Sequence, residues 1–326
     1  MGLWMKTRDA ACEGSRGRVL HVHNVAGVSS NLAFFQRKLG WEAKVITRIV
    51  HPYCYDEDYY PHWKNLFPLR FFQTFDVIHY HGNTWFRRRE LKHFDYHLCK
   101  RFHRKIVIHF HGSDLRIESM YKELKNIIDD LKIILVSTPD LLTFLPPEKG
   151  VWLPSPINIE MWHPKPTIEK ERALVIGYYN PPHLQSEWIY CTKHIETAIK
   201  NLKRKGFEIE TNTVYGKPHS AMPSYYSSID VFVDRLGIGW YGLNACEAMA
   251  SGLPLITYIR EDLRQLLPRK EPFLISPKEK LEENLEMILS DESLRKQLAQ
   301  RGRQYVSDTH DGLRVAKRLI DIYQRL

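Results

Sequence analysis

The segment 234–258, DRLGIGWYGLNACEAMASGLPLITY, gathers the residue types that a phosphate- and sugar-binding turn needs. Glycines at 237, 239 and 242 let the backbone come close to a ligand. The helix expected to start there would turn the unpaired N–H groups of Gly242, Leu243 and Asn244 toward an anion. Glu247, about one and a half turns further in, is placed to accept hydrogen bonds from a ribose diol. A lone Gly-rich turn is more often structural than functional, so its surroundings decide.

Those surroundings alternate short apolar runs with amphipathic stretches. In the first half the runs 19–24, 43–48, 76–81 and 105–109 read as strands, and 29–39 and 88–102 as helices. Ser30 or Asn31 is the expected N-cap of the first helix and Gly40 its C-cap residue. Six prolines between 145 and 166 mark a linker. A second series follows, with strands at 173–178, 208–214, 231–234 and 254–258 and helices at 188–205 and 242–250. The tail turns helical, and Leu313, Ala316, Leu319, Ile320 and Tyr323 share one face. This is an α/β pattern of two Rossmann-like domains, each with a parallel sheet whose carboxyl edge binds ligands.

Composition agrees with two cores: 326 residues, 43% hydrophobic, 26% charged and 18 prolines exclude a disordered chain, a coiled coil and a collagen-like rod. No run of 18 apolar residues is present to span a bilayer. Residues 1–18 have too little apolar length for a signal peptide, and Lys6 stands where an N-myristoylation signal needs Ser or Thr. The expected location is cytoplasmic. Five dispersed cysteines without a CxxC pair read as reduced thiols. The net charge of +9 is concentrated in residues 1–150, which favours an anionic partner without choosing among nucleotide, nucleic acid and lipid.

The run Glu247-Ala248-Met249-Ala250-Ser251-Gly252-Leu253-Pro254 closes the choice further. With FDVIHYHG at 75–82, IVIHFHGSD at 106–114, STPDLL at 137–142 and LPSPIN at 153–158, in that order, the chain resembles the retaining glycosyltransferases of family 4, which have the GT-B fold. The resemblance implies an N-terminal acceptor domain, residues 1–165, and a C-terminal nucleotide-sugar domain, residues 166–310, with the helix 311–326 returning to the first. It implies transfer of a sugar from a nucleoside diphosphate, UDP- or GDP-linked, to an acceptor hydroxyl with retention of configuration. It also implies no resident cofactor and no metal ion, and a glycan or lipid-linked acceptor.

The resemblance marks His111 and Asp114 in the first domain, the histidine lying against the donor sugar as a hydrogen-bonding group. Most of the 16 histidines read as core or loop residues, His93, His97 and His103 among them, while His79 and His81 stand evenly between the two readings. Gly27, in the turn 25–29, would face the diphosphate beside the N–H groups of Val28 and Ser29, although a plain β–α turn explains it as well. Two departures stand out. Gly239 occupies the place of the family's first glutamate, and 177–187 lacks the usual Arg and Lys that neutralise the diphosphate. Arg235 is the expected replacement, with His183 as a lesser candidate.

Two further features are weighed. The stretch 85–105 carries eight Lys/Arg against two acids, with Leu91, Phe94, Leu98 and Phe102 at helical spacing. A helix docked on the sheet explains it, and peripheral attraction to anionic lipid or to a lipid diphosphate acceptor is the functional alternative. Asp56-Glu57-Asp58 has the look of a DxD metal motif but falls in an apparent surface loop, and no His/Asp/Glu cluster shows metal-ligand spacing. Nucleic-acid binding accounts for the charge but for none of the motifs. The alternatives to a transferase are a non-catalytic nucleotide-sugar or glycan-binding partner of another transferase, and, further off, a nucleotide-sugar epimerase.

Overall fold

The computed structural model describes residues 16–47, 53–55, 69–85, 92–102, 104–164, 172–182 and 187–326. The residues Asp56, Glu57, Asp58, Leu91, His103 and His183, the whole basic run 86–91 and the expected domain boundary at 165/166 lie outside them.

Two all-parallel sheets are built from the expected apolar runs. The first has the order β2-β1-β3-β4-β5-β6, from β1 (Arg18–Val22), β2 (Glu42–Ile46), β3 (Val77–His81), β4 (Lys105–Phe110), β5 (Ile134–Val136) and β6 (Gly150–Trp152). The second has the order β11-β10-β9-β7-β8, from β7 (Leu174–Tyr179), β8 (Ile209–Val214), β9 (Val231–Val233), β10 (Leu255–Thr257) and β11 (Leu274–Ile275). Both orders reverse direction once, between β1 and β3 and between β7 and β9, which opens a crevice at the carboxyl ends of those strands.

Strand alternation sends successive side chains to opposite faces. Leu20, Val22, Ile78, Tyr80, Ile108 and Phe110 enter one core of the first domain. Val19, Val77 and Val107 enter the other, beneath the helices Val28–Lys38 and Gly312–Arg325. On that second face the positions nearer the carboxyl ends are imidazoles: His21, His79, His81, His109 and His111. In the second domain the helix Leu243–Ala250 is buried nearly all round and packs on the helix Glu292–Thr309.

The chain passes between the domains twice, and the passages run side by side. Ile157 N–H donates to the His310 carbonyl (2.7 Å), and Gly312 N–H donates to the Ile157 carbonyl (3.0 Å). His310 Nδ1 lies 2.9 Å from the Ser155 carbonyl and Nε2 lies 2.8 Å from the Tyr241 hydroxyl, so the junction is bonded to a residue of the second domain's Gly-rich turn.

Three local expectations are corrected. The first helix begins at Val28 with left-handed Gly27 as its N-cap, not at Ser30 or Asn31, because Ser30 accepts from the Asn24 amide and Ser29 Oγ donates to the His23 carbonyl. The single helix expected over 188–205 is two, Glu187–Tyr190 and Thr192–Arg204, broken where Cys191 takes φ 54°. In the helix Phe94–Arg101, Tyr96 and Cys99 are buried while Phe94 is 41% exposed, so the apolar stripe through Phe94 and Leu98 is out of phase. The reason is Asp95, buried because its carboxylate accepts from the Trp85 N–H (2.9 Å), which a hydrophobic pattern does not register. Among the described residues no helix is long and apolar enough to cross a membrane.

Leu319 on the terminal helix is fully buried against the first sheet. Leu319→Ala is expected to cost about 2–5 kcal/mol, read as a lowered melting temperature. An unchanged melting curve would show that this helix does not hold the sheet.

Candidate functional site

A cavity of about 220 Å³ opens where the carboxyl ends of the two sheets meet. Its walls come from the turn after β1 (Val25, Ala26, Val28), from His111 after β4, from Ser137 and Thr138 after β5, and from loops following β7, β8 and β9. Most of the wall therefore comes from segments that follow strand ends, with the helix Leu243–Ala250 and His310 completing it.

Glu247 stands on the second-domain wall with its side chain only 4% exposed. Oε1 lies 2.9 Å from His219 Nε2, and Oε2 accepts from the Tyr226 hydroxyl at 3.0 Å. An ionised carboxylate can accept about four hydrogen bonds, so two protein donors leave capacity for a ligand diol. His219 was not anticipated: it lies 28 residues from Glu247, and no local pattern joins them.

The Gly-rich turn is pinned from below. Asp234 Oδ2 accepts the Gly242 N–H at 2.7 Å, so that N–H, expected to face a diphosphate, is already used. Burial raises the pKa of Asp234 above the usual carboxylate range. Leu243 and Asn244 line the cavity. Arg235 also lines it, and its guanidinium donates to the carbonyls of Trp240 (3.1 Å) and Tyr241 (2.8 Å). Lys217, in the loop after β8, is a second cation on the wall that the sequence reading did not single out. Behind the opposite wall the Arg116 guanidinium is buried on Asp140 (2.6 Å). Burial lowers its pKa, and the charge of Arg235 lowers it further. Gly239 does not line the cavity. It takes φ +91° in a turn packed on Arg260, where a Cβ would fall 2.8 Å from the arginine Cβ.

On the first-domain wall the Val28 N–H closes a turn onto the Val25 carbonyl (3.1 Å) and does not point to a ligand. Gly27 is required for a different reason: at φ +75° its missing Cβ makes room for the Tyr55 ring, which would come within 2.4 Å. Tyr55 also lies against the His219 ring, centroids 4.7 Å apart, and the Tyr53 and Tyr179 hydroxyls share a 2.5 Å hydrogen bond. Tyr53 and Tyr55 thus reach across the cleft from the first domain, and the cavity is smaller than the ~300–1,000 Å³ of common small-molecule sites. Asp114 is off the wall. Its carboxylate accepts the backbone N–H groups of His111 (3.0 Å) and Gly112 (2.7 Å), so it fixes the loop that carries His111.

His111 is the outer end of a hydrogen-bonded row. His21 Nε2–H donates to Gln36 Oε1 (2.7 Å), which leaves His21 Nδ1 to accept from His81 Nε2–H (3.0 Å). His81 Nδ1 then accepts from His111 Nε2–H (3.0 Å), and His111 Nδ1 is left as an acceptor. The same amide sets a second branch: Gln36 Nε2 donates to the Tyr323 hydroxyl (3.5 Å), which donates to His79 Nδ1 (2.6 Å). His79 Nε2 and both nitrogens of His109 have no hydrogen-bond partner among the described residues. Each such buried group costs about 1–3 kcal/mol.

Residues 193–305 match the model of the glycosyl transferases group 1, a stretch that contains Asp234, Arg235, Gly242 and Glu247. The chain is similar to sucrose-phosphate synthase from Thermosynechococcus elongatus, at 16% identity over 95% of this chain and 99% of that one, with a TM-score of 0.64. It is similar to a glycosyltransferase from Rickettsia africae, at 14% identity over 96% and 99%, TM-score 0.64. It is also similar to Anabaena HepE, solved in complex with UDP-glucose, at 12% identity over 95% and 100%, TM-score 0.66. The fold is GT-B. No curated protein matches the chain significantly. In this GT-B chain the family-model match falls on the second sheet's side of the cavity, while His111 and the histidine row belong to the first.

Burial drives the imidazole pKa values down: His21 and His310 to about 4, His111 to about 3, and His79, His81 and His109 well below the usual range. The unfolded chain takes up these protons below pH ~6.5 and the folded chain refuses them. Stability is therefore complete above ~6.5 and falls as pH drops toward 4, by up to ~1.4 kcal/mol per pH unit for each histidine. Melting temperatures across pH 4–8 would show this, and a flat profile would contradict the neutral row.

Gln36→Leu removes the group that polarises the row. His111 is then expected to exchange between tautomers, which nitrogen-15 chemical shifts would report, while in the parent chain Nε2 alone is protonated.

Proposed function

We propose that the chain transfers a sugar from a UDP- or GDP-linked donor to an acceptor hydroxyl with retention of configuration. One observation carries this reading: the cavity brings Glu247, Arg235 and Lys217 of the second domain opposite His111 of the first. Glu247 would accept the ribose hydroxyls, sharing them with His219. Arg235 and Lys217 would offset the diphosphate charge as it departs, a term worth several kcal/mol in a water-poor site. His111, with its Nδ1 held as an acceptor, would bond a hydroxyl of the transferred sugar. Asp114 and Gln36 would act only through it. The first domain would hold the acceptor, a glycan or a lipid-linked hydroxyl, and cleft closure would keep water from the activated sugar. The UDP-glucose complex of HepE, a protein of the same fold, supports a nucleotide-sugar donor.

The experiment is calorimetric titration with UDP, GDP and ADP, followed by a transfer assay with the conjugates of whichever nucleotide binds. Glu247→Ala is expected to weaken that nucleotide by ~10–100-fold, about 1.4–2.8 kcal/mol. Arg235→Ala is expected to lower turnover by ~10²–10³. Binding without any transfer or donor hydrolysis would favour a non-catalytic sugar-nucleotide binder, the reading that Gly239 and the run 177–187, without Lys or Arg, keep open. No binding of any nucleotide would overturn the proposal.

A further inference from the structure

We propose that His81, His109 and His111 form a binding site for a divalent transition-metal ion of the zinc class. The sequence reading found no cluster with metal-ligand spacing because the spacing is not along the chain. It arises from two His-x-His pairs on neighbouring parallel strands. Alternation places His79 and His81 on one face of β3, and His109 and His111 continue that face at β4. Strand register sets His81 directly beside His109. One nitrogen from each of His81, His109 and His111 lies within 4.8 Å of the other two.

The chemistry of the donors fits a metal. Three imidazoles and no carboxylate favour zinc, cobalt, nickel or copper over magnesium or calcium. Burial keeps all three imidazoles neutral, the form that ligates. The row from Gln36 through His21 puts the proton of His81 on Nε2 and leaves the Nδ1 lone pair facing His111, as an outer partner does for a metal-bound histidine. His81 Nδ1 and His111 Nε2 are 3.0 Å apart, a few tenths of an ångström short of the ~3.3 Å implied by two ~2.0–2.1 Å bonds to one tetrahedral ion. Binding would require the proton on His111 Nε2 to move to Nδ1, so that His81 Nδ1 and His111 Nε2 both present lone pairs to the ion. His109 supplies the independent observation: it is 0% exposed, and neither of its nitrogens has a hydrogen-bond partner among the described residues. A metal–nitrogen bond would satisfy one of them.

A second trio, His21, His79 and His81, is equally close. It shares His81, and both nitrogens of His21 are already bonded, so it is the poorer site. Because His111 lines the cavity, an ion with three protein ligands would stand at the cavity wall with a coordination position for water or an anionic oxygen. The inference goes beyond the transferase reading and does not depend on it.

The test uses the full chain without a polyhistidine tag, stripped by chelator, dialysed and titrated with Co²⁺ alone. One equivalent is expected to bind with the intense visible absorption of four-coordinate cobalt, and Zn²⁺ is expected to displace it. His109→Asn should weaken Co²⁺ by at least ~100-fold, whereas His97→Ala, an exposed histidine outside the cluster, should leave it unchanged. Circular dichroism checks that His109→Asn folds. If it does not, His111→Asn, at the cavity wall, takes its place with the same expected loss. Substoichiometric uptake without the absorption band, or binding undiminished in the folded variant, would overturn the proposal.

Discussion

Everything in the cleft depends on the pair of chain crossings at Ile157 and at His310–Gly312. The two sheets have separate cores, and these backbone hydrogen bonds set their carboxyl edges against one another. The crossing is not a neutral strut. His310 is bonded to Ser155 on one passage and to Tyr241 on the second domain, and all three residues line the cavity. Tyr241 in turn offers its carbonyl to Arg235. The turn that carries the arginine is therefore bonded to the crossing itself.

The histidine face is the second constraint, and it works against stability. A sheet face covered by two helices would normally be aliphatic to its end, as Val19, Val77 and Val107 are nearer the amino ends. Five imidazoles in their place lose hydration, and the hydrogen bonds from Gln36 to His111 recover only part of that loss, since His79 and His109 keep unpartnered nitrogens. Proteins tolerate such conflicts chiefly at functional sites. Gln36 is the cheapest point of control: one amide oriented by Tyr323 decides which nitrogen of every histidine in the row carries the proton, down to the one on the cavity wall.

What the sequence made legible follows the range of the interactions. The strands were readable because burial between helices demands continuous apolar runs, and the ligand-binding edge followed from parallel topology. The Gly-rich turn and Glu247 were readable because a turn and a helix start are local. Partners set by tertiary contact were not: His219 reaches Glu247 from another loop, Tyr55 comes from the segment after β2 to fill the space Gly27 leaves, and Lys217 arrives from the loop after β8. The phase of the helix Phe94–Arg101 was lost because a buried carboxylate, Asp95, counted as surface. The histidine cluster was half visible, since the His-x-His alternation is in the sequence but the strand register is not.

The two departures from the pattern that the sequence resembles differ once they are placed in space. Charge neutralisation is set by distance to the ligand and by local dielectric, not by chain position. A guanidinium after β9 and an ammonium after β8 reach the same cavity that Tyr179 lines, so cations from other loops can stand where the stretch 177–187 supplies no Arg or Lys. The glycine at 239 is a different matter. Its left-handed turn lies against Arg260, and a side chain there would have to displace that residue before it could approach the cavity. The turn is thus shaped around the glycine, and the imidazole that the first sheet presents to the cavity is His111.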